Sequence, residues 1–141
     1  MAGRPIAEAL DKIYEAWNTG NVNLLDGVCT PNLEYHIQGF PDMDLAGLKS
    51  FILALRTSSP DFKVWEDERI TEGDRICSRW TCAATFTAEN ASLPGIPPTG
   101  KSQTTWGFAT YRCEGGTLVE VWHAWDGLGW FTQVGIIPPM G

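Results

Sequence analysis

Positive charge is scarce in this sequence. Ten lysine and arginine residues stand against 17 aspartate and glutamate residues, which gives a formal net charge of −7 over 141 residues. No basic run is present that would follow a phosphate backbone, so we expect no binding to nucleic acid. The same excess of negative charge disfavours an anionic membrane surface as a partner.

Long apolar runs are also missing. A membrane-spanning helix needs about 20 consecutive apolar residues, and no stretch of this sequence approaches that length. Residues 1–5 lead into a mixed polar and apolar segment rather than into the apolar core of a signal peptide. The sequence therefore predicts a cytoplasmic protein.

Metal-binding and cofactor-binding signatures are absent as well. The four cysteines are Cys29, Cys77, Cys82 and Cys113, no two of them have the CxxC spacing, and the chain has only two histidines. This pattern excludes a Cys/His zinc site, and no glycine-rich nucleotide loop is present. We expect no metal, no bound cofactor, and four reduced thiols in a reducing compartment.

What the sequence has in excess is large aromatic side chains. Seven tryptophans, six phenylalanines and three tyrosines occur in 141 residues, of which 43% are hydrophobic. The length is that of one domain, and we predict a single domain over residues 1–141. The rings either fill its core or form the walls of a cavity for a flat apolar molecule.

The apolar residues recur at helical spacing in the first part of the chain and alternate after Pro60. The predicted helices are 6–17, 21–28 and a third that Asp44 caps and that ends before Pro60. The predicted strands are 33–38, 62–70, 75–87, 102–113 and 117–126. This order predicts an α+β fold, in which the N-terminal helices pack on one face of a strongly curved antiparallel sheet that forms a cone with an open mouth.

Short motifs spread over the chain carry a resemblance. They are Tyr14, Trp17-Asn18-Thr19-Gly20-Asn21, Gly73-Asp74-Arg75-Ile76, Arg79-Trp80-Thr81, Gly95-Ile96-Pro97-Pro98-Thr99-Gly100, Val119-Glu120-Val121-Trp122, Asp126 and Gln133-Val134-Gly135. In order and spacing they resemble the SnoaL-like polyketide cyclase family, whose fold is that of nuclear transport factor 2. The resemblance covers nearly the whole chain and implies a cone-shaped α+β barrel.

The resemblance also implies a function. In this family an enzyme without a cofactor closes a ring in a polyketide ester by an intramolecular aldol reaction, and the substrate is an apolar polycyclic or polyketide-like molecule. Relatives on the same scaffold act as epoxide hydrolases, isomerases, dehydratases or pericyclic cyclases. Two other classes stay open, a non-catalytic ligand-binding domain and an interaction domain that uses the outer face of the sheet. The usual state of the fold is a homodimer.

Asp126 is the first candidate for an acid/base residue. Strand alternation places it on one face with Glu120 and Trp122, and the resemblance implies that the aspartate of this motif transfers the proton. The alternative is a turn residue, because Gly127 follows it directly.

Two other side chains are catalytic candidates. His36 stands at the end of the first strand, where relatives place a base, and an imidazole titrates near neutral pH; the alternative is a histidine with a structural hydrogen bond or one that faces solvent. Tyr14 lies on the apolar face of the first helix and is placed to hydrogen-bond a substrate carbonyl, or else it packs between helices.

The pocket residues follow from alternation along the strands. We predict that the cone is lined by Trp17, Trp80, Phe86, Thr104, Trp106, Phe108 and Trp122. Phe86 is a departure from the family, which has a histidine at this point. Strict alternation places His123 outside the cone with Trp125, unless a β-bulge reverses the faces.

Overall fold

Two helices and a short 3-10 helix form one layer of the molecule. The computed structural model describes residues 6–139; residues 1–5, where the prediction about the N-terminus falls, and residues 140–141 lie outside the described residues. Helix α1 (Ile6–Thr19) is followed by the 3-10 helix (Val22–Gly27), and helix α2 (Leu45–Ser58) begins after Asp44, whose side chain accepts a hydrogen bond from the Gly47 amide at 2.9 Å. These elements agree with the predicted helices.

Five strands form a single, strongly curled sheet. They are β1 (Cys29–Ile37), β2 (Lys63–Glu72), β3 (Arg75–Thr85), β4 (Ser102–Glu114) and β5 (Thr117–Trp125). The spatial order is β1-β5-β4-β3-β2, and β1 runs parallel to β5 while all other neighbours are antiparallel. The expectation of a purely antiparallel sheet is therefore wrong. Two-residue turns make β2 antiparallel to β3 and β4 antiparallel to β5, whereas β1 lies at the opposite edge from β2 and is joined to it through α2, so no tight turn sets its direction.

The core lies between the helices and the concave face of the sheet. Leu10 and Ile13 of α1 and Leu48 and Ile52 of α2 are buried against this face, which contributes Val121 among others. The fold is the predicted α+β cone. Within residues 6–139, no helix has both the length and the apolar character needed to cross a membrane.

A β-bulge in β5 decides which side chains face the core. Arg112 pairs with Glu120 but the next residue of β4, Cys113, pairs with Leu118, so Val119 is an extra residue in β5. The extra residue shifts the alternation by one. After the bulge, Val121, His123 and Trp125 point to the concave side, opposite to the orientation predicted for His123 and Trp125.

A third helix follows β5, in a segment for which the sequence predicts no helix or strand. Helix α3 (Gly127–Gln133) begins after Asp126, whose Oδ1 accepts a hydrogen bond from the Gly129 amide at 2.8 Å. The Gln133 side chain accepts from the Thr104 amide at 2.7 Å and donates to the Thr104 carbonyl at 3.0 Å. These two bonds hold α3 against β4 at the mouth of the cone.

Candidate functional site

A largely apolar cavity of about 120 Å³ lies between the helices and the concave face of the sheet. It is open on one side, where Asn90 and Leu93 of the loop before β4 and Trp130 of α3 border it. Among the described residues that line it there is no aspartate, glutamate, lysine or arginine. An apolar cavity with a small number of polar groups is the usual form of a small-molecule site.

Four tryptophans line this cavity, namely Trp17, Trp80, Trp125 and Trp130. Trp17 and Trp80 lie in the wall where they were expected, and their contact with a substrate stays a prediction. Trp125 was expected outside; it lies inside because of the bulge, and its Nε1 donates to the Gln38 carbonyl at 2.8 Å. About half of the tryptophans therefore surround one cavity.

The remaining pocket predictions are wrong in orientation. Thr104, Trp106, Phe108 and Trp122 lie on the outer face, where Trp106 and Trp122 are 54% and 59% exposed. In β4 the other set of alternating residues faces inward, and this set includes Gly107 and Ala109. At Gly107 the concave side has no room for a larger side chain, because an added Cβ would lie 2.5 Å from Trp80 Cζ2.

Phe86 was also expected to line the pocket. It is buried, but it is not among the lining residues, and its ring packs against Trp130 with centroids 5.4 Å apart. It supports the position of Trp130 from behind.

His123 is the titratable group at the centre of the wall. Its Nδ1 lies 3.1 Å from the hydroxyl oxygen of Tyr35, and its ring meets Trp80 edge-on with centroids 5.0 Å apart. Protein atoms surround the ring, and this burial lowers the pKa of His123 to about 4. The imidazole is therefore neutral at pH 7.

Tyr14 reaches the same cavity from α1. Its hydroxyl lies 2.7 Å from Ser78 Oγ, and Ser78 in turn donates to Glu66 Oε2 at 2.5 Å. Burial is the main cause that raises the pKa of Tyr14 to about 12. The phenol is therefore protonated at any physiological pH. Tyr14 lines the cavity, and its role in catalysis stays a prediction.

Asp126 does not face the cavity. It is exposed, and its carboxylate caps α3 through Gly129, so the turn-type alternative describes its environment. The orientation predicted for it is wrong because β5 ends at Trp125 and Asp126 caps α3 instead of continuing the strand. Its role as the acid/base residue stays a prediction, and the geometry does not support it.

His36 also lies outside the cavity. Its ring stacks on Trp122 with centroids 3.9 Å apart, and its Nδ1 is 2.8 Å from Asp42 Oδ1. The hydrogen bond to Asp42 is the main cause that raises the pKa of His36. This is the structural alternative for His36, and the predicted position in the pocket is wrong.

One side-chain cluster resembles a metal site. Glu34, His36 and Glu120 on the outer face place one ligand atom each within 4.8 Å of one another. Arg112 already pairs with Glu120 at 3.2 Å, and Asp42 holds the imidazole. The cluster is thus an ion-pair network, and we assign no metal to it.

The sequence analysis missed His123 and its partner Tyr35 as a unit. They are 88 positions apart in the chain and meet because β1 lies parallel to β5. One signal for the inward face of β4 is present in the sequence. Gly107 lies inside the strand, and a glycine at such a position often marks the close approach of another group, here Trp80 and the Ala124 carbonyl.

Comparison with solved structures finds the same fold. TsrD from Streptomyces laurentii has a TM-score of 0.83 at 20% identity, and 94% of this chain and 96% of that chain are covered. IdmH from Streptomyces antibioticus, a suggested polyketide cyclase, has a TM-score of 0.80 at 22% identity, with 94% and 99% covered. A suggested polyketide cyclase from Acidithiobacillus ferrooxidans has a TM-score of 0.76 at 29% identity, with 92% and 93% covered.

Comparison with curated proteins gave no match. The family model of the SnoaL-like polyketide cyclases, in contrast, matches residues 7–134 and so spans the helices, the sheet and α3. The cone, its apolar cavity and this match lead to one conclusion: the chain belongs to the SnoaL-like polyketide cyclase family.

Proposed function

We propose that this protein is an enzyme that binds a polyketide-like molecule in the apolar cavity and closes a ring in it by acid/base chemistry. The reaction we favour is the intramolecular aldol reaction of a polyketide ester. The observation that supports this most directly is that two polar side chains, His123 and Tyr14, line one apolar cavity. The described lining of this cavity contains no charged residue.

The geometry supports His123 as the group that donates to the substrate carbonyl, while the Tyr14 oxygen offers an acceptor to a hydroxyl or enol of the substrate. An aldol closure develops negative charge on a carbonyl oxygen, and a fixed hydrogen-bond donor in an apolar site stabilises such charge strongly. His123 and Tyr14 are each held by a partner outside the cavity, at 3.1 Å and 2.7 Å. The side chains are therefore oriented before the substrate arrives.

The size of the cavity limits what enters it. A cavity of roughly 150 Å³ with apolar walls is enough to bind benzene in another protein, and the cavity here measures about 120 Å³. We infer that one ring of the substrate, the one that reacts, lies between Trp80 and Trp125. The rest of a polycyclic molecule then extends through the mouth beside Trp130.

The test is turnover of a panel of anthracycline-type polyketide esters, epoxides and polyenes, followed by chromatography. For the ester that reacts, we expect His123→Ala to lower kcat/KM by about 10²–10³-fold, because one donor to the developing oxyanion is lost. Asp126→Asn is the matched control. Asparagine is as good a helix cap as aspartate, so we expect a change of no more than about threefold.

A large loss of kcat/KM in Asp126→Asn together with a small loss in His123→Ala would contradict this proposal. That result would identify Asp126 as the acid/base residue. The second candidate function is a binding protein without turnover, which the placement of Asp126 as a helix cap favours. If a panel member binds saturably and is recovered unchanged, with no product formed, the protein has the binding function instead.

We further infer that the protein is a homodimer and that the outer face of the sheet forms the interface. Trp106, Phe108 and Trp122 are exposed together on β4 and β5, and exposed apolar patches of this kind mark interaction surfaces. Their arrangement on neighbouring strands makes a continuous surface suited to a second copy.

Light scattering coupled to gel filtration tests the dimer. We expect a mass of about twice 15.5 kDa for the wild type and a monomer for Trp106→Glu, because the substitution places two like charges in the interface. Leu53→Glu, at an exposed position of α2 on the opposite side of the molecule, is expected to remain dimeric. A monomeric wild type, or dissociation of both variants, contradicts the proposed interface.

A cytoplasmic location also stays a prediction. All four cysteines, Cys29, Cys77, Cys82 and Cys113, are free thiols. Free thiols of this kind agree with a reducing compartment.

A further inference from the structure

His123 and Tyr14, two of the polar side chains at the cavity, have hydrogen-bond partners that lie behind the cavity wall. Tyr35 is completely buried, and its hydroxyl has His123 Nδ1 as its one hydrogen-bond partner among residues 6–139. Ser78 is likewise buried and stands between Tyr14 and Glu66. These partners decide where the protons of His123 and Tyr14 reside.

For His123, the decisive fact is that Tyr35 has a single proton and a single partner. If Nδ1 carried the proton of the imidazole, the Tyr35 oxygen would accept it, and the phenolic hydrogen would be buried without an acceptor. Such an arrangement is unfavourable. The Tyr35 hydroxyl therefore donates to Nδ1, and a neutral imidazole then has its proton on Nε2.

The charge states agree with this assignment. Burial lowers the pKa of His123 to about 4 and raises the pKa of Tyr35 above its usual range, so both groups are neutral at pH 7. The titratable side chains that line the cavity with His123 are Tyr14, Tyr111 and Cys82, and burial is the main cause that raises the pKa of each. No charged group of the described lining acts on the imidazole.

The other nitrogen of the ring is available to a ligand. His123 Nε2 has no hydrogen-bond partner in the described part of the chain, and it is not one of the buried polar atoms that are shut off from solvent. His123 lines the cavity and also an outer groove that contains His36 and Asp42. Because its ring meets Trp80 of the cavity wall, we infer that Nε2–H donates to a molecule in the cavity.

For Tyr14, the direction follows from the carboxylate at the end of the chain of bonds. Arg69 Nε donates to both oxygens of Glu66 at 2.9 and 3.0 Å, so both oxygens act as acceptors. Ser78 therefore donates to this carboxylate as well. Ser78 has one proton, and it must accept from Tyr14. The proton of Tyr14 is therefore directed away from the cavity, and its free lone pair is what a ligand meets.

We propose that Tyr35 and the Ser78–Glu66 pair are positioning residues that give the cavity a fixed polarity, with His123 Nε2 as a hydrogen-bond donor and the Tyr14 oxygen as an acceptor. The ligand class that fits is a compact aromatic compound with a carbonyl oxygen for His123 and a hydroxyl donor, phenol or enol, for Tyr14. In the reaction, this polarity makes His123 the group that polarises the carbonyl and not the group that removes a proton. That last consequence rests on the proposed function, whereas the polarity itself does not.

Nitrogen NMR of the protein labelled with ¹⁵N-histidine tests the donor directly and needs no substrate. The chain has two histidines, so a His36→Gln sample assigns the His123 signals. We expect the pattern of a neutral ring with the proton on Nε2 from pH 8 down to pH 5. In Tyr35→Phe we expect a mixture of both tautomers. A proton on Nδ1, or a charged ring at pH 7, overturns the assignment of His123 whatever the enzyme assays show.

Calorimetric binding of a pair of small probes tests the acceptor. The probes are 4-hydroxyacetophenone and 4-methoxyacetophenone, which share the carbonyl and the ring and differ in the hydroxyl donor. We expect the hydroxyl compound to bind the wild type about tenfold more tightly, and Tyr14→Phe to remove this difference, since one hydrogen bond to the phenol oxygen is lost.

Each result of the binding experiment decides something. Equal affinity of both probes for the wild type, or an unchanged ratio in Tyr14→Phe, overturns the acceptor role of Tyr14. Failure of both probes to bind overturns the ligand class. If Tyr35→Phe does not fold, the wild-type tautomer and the Tyr14→Phe ratio still decide the proposal. Loss of polyketide turnover with an intact probe ratio would overturn the proposed function alone.

Discussion

Replacing Gly107 by alanine is expected to destabilise the fold by about 3 kcal/mol. Gly107 lies in β4 between Trp80 of β3 and Trp125 of β5. A Cβ at this position would lie at 2.5 Å from Trp80 Cζ2 and closer still to the Ala124 carbonyl oxygen. The side chain can move, but the Ala124 carbonyl is backbone, so β5 has to shift at the point that holds His123 and Trp125.

Urea unfolding followed by tryptophan fluorescence measures this effect. The matched control is Gly73→Ala in the turn between β2 and β3. There an added Cβ meets open space. The φ of +59° is unfavourable for alanine and lowers the free energy of unfolding by about 1 kcal/mol. If Gly107→Ala were no less stable than Gly73→Ala, the close approach of Trp80 and β5 at this glycine would be wrong.

Lowering the pH from 7.5 to 4.5 is expected to remove up to about 3 kcal/mol of stability through His123 alone, at about 1.4 kcal/mol per unit of pKa difference. In the unfolded chain the imidazole takes up a proton near its ordinary pKa of 6.5, whereas in the folded protein the pKa is about 4. Between these values the unfolded state binds more protons, so the free energy of unfolding falls as the pH falls. This contribution is fully present above pH 6.5.

The measurement is urea unfolding of the wild type and of His123→Gln across this pH range. Glutamine does not titrate and still accepts the Tyr35 hydrogen bond, so the difference between the two curves isolates the imidazole. Parallel curves would show that His123 titrates normally in the folded state.

His36→Gln provides a control of opposite sign. The hydrogen bond to Asp42 raises the pKa of His36, so the folded state binds this proton more tightly than the unfolded state. The stabilisation from His36 is therefore present at low pH and is lost as the pH rises through its folded pKa. Relative to His36→Gln, the wild type should become more stable as the pH falls.

The sequence by itself determined the α+β class of this protein and most of its helices and strands, but not the parallel pairing of β1 or the helix α3. The helical spacing of Leu10 and Ile13, the cap at Asp44 and the alternation in β3 are local signals, and each appears in the structure as predicted. Alternation places Trp80 and Cys82 on one face of β3, and in the structure that face lines the cavity. The motifs from Tyr14 to Gly135 also identified the family, whose model matches residues 7–134.

Only the tertiary structure decided which side chains form the site. Alternation has a period of two, so it defines two faces of a strand but does not say which one is concave. In β4 the inward face follows from packing, and in β5 one extra residue, Val119, exchanges the faces. That single shift turns His123 to the cavity, and Asp126, which follows the strand, caps α3 at the surface. The contact of His123 with Tyr35 depends on the pairing of β1 with β5, which joins residues distant in the chain and leaves no local trace in the sequence.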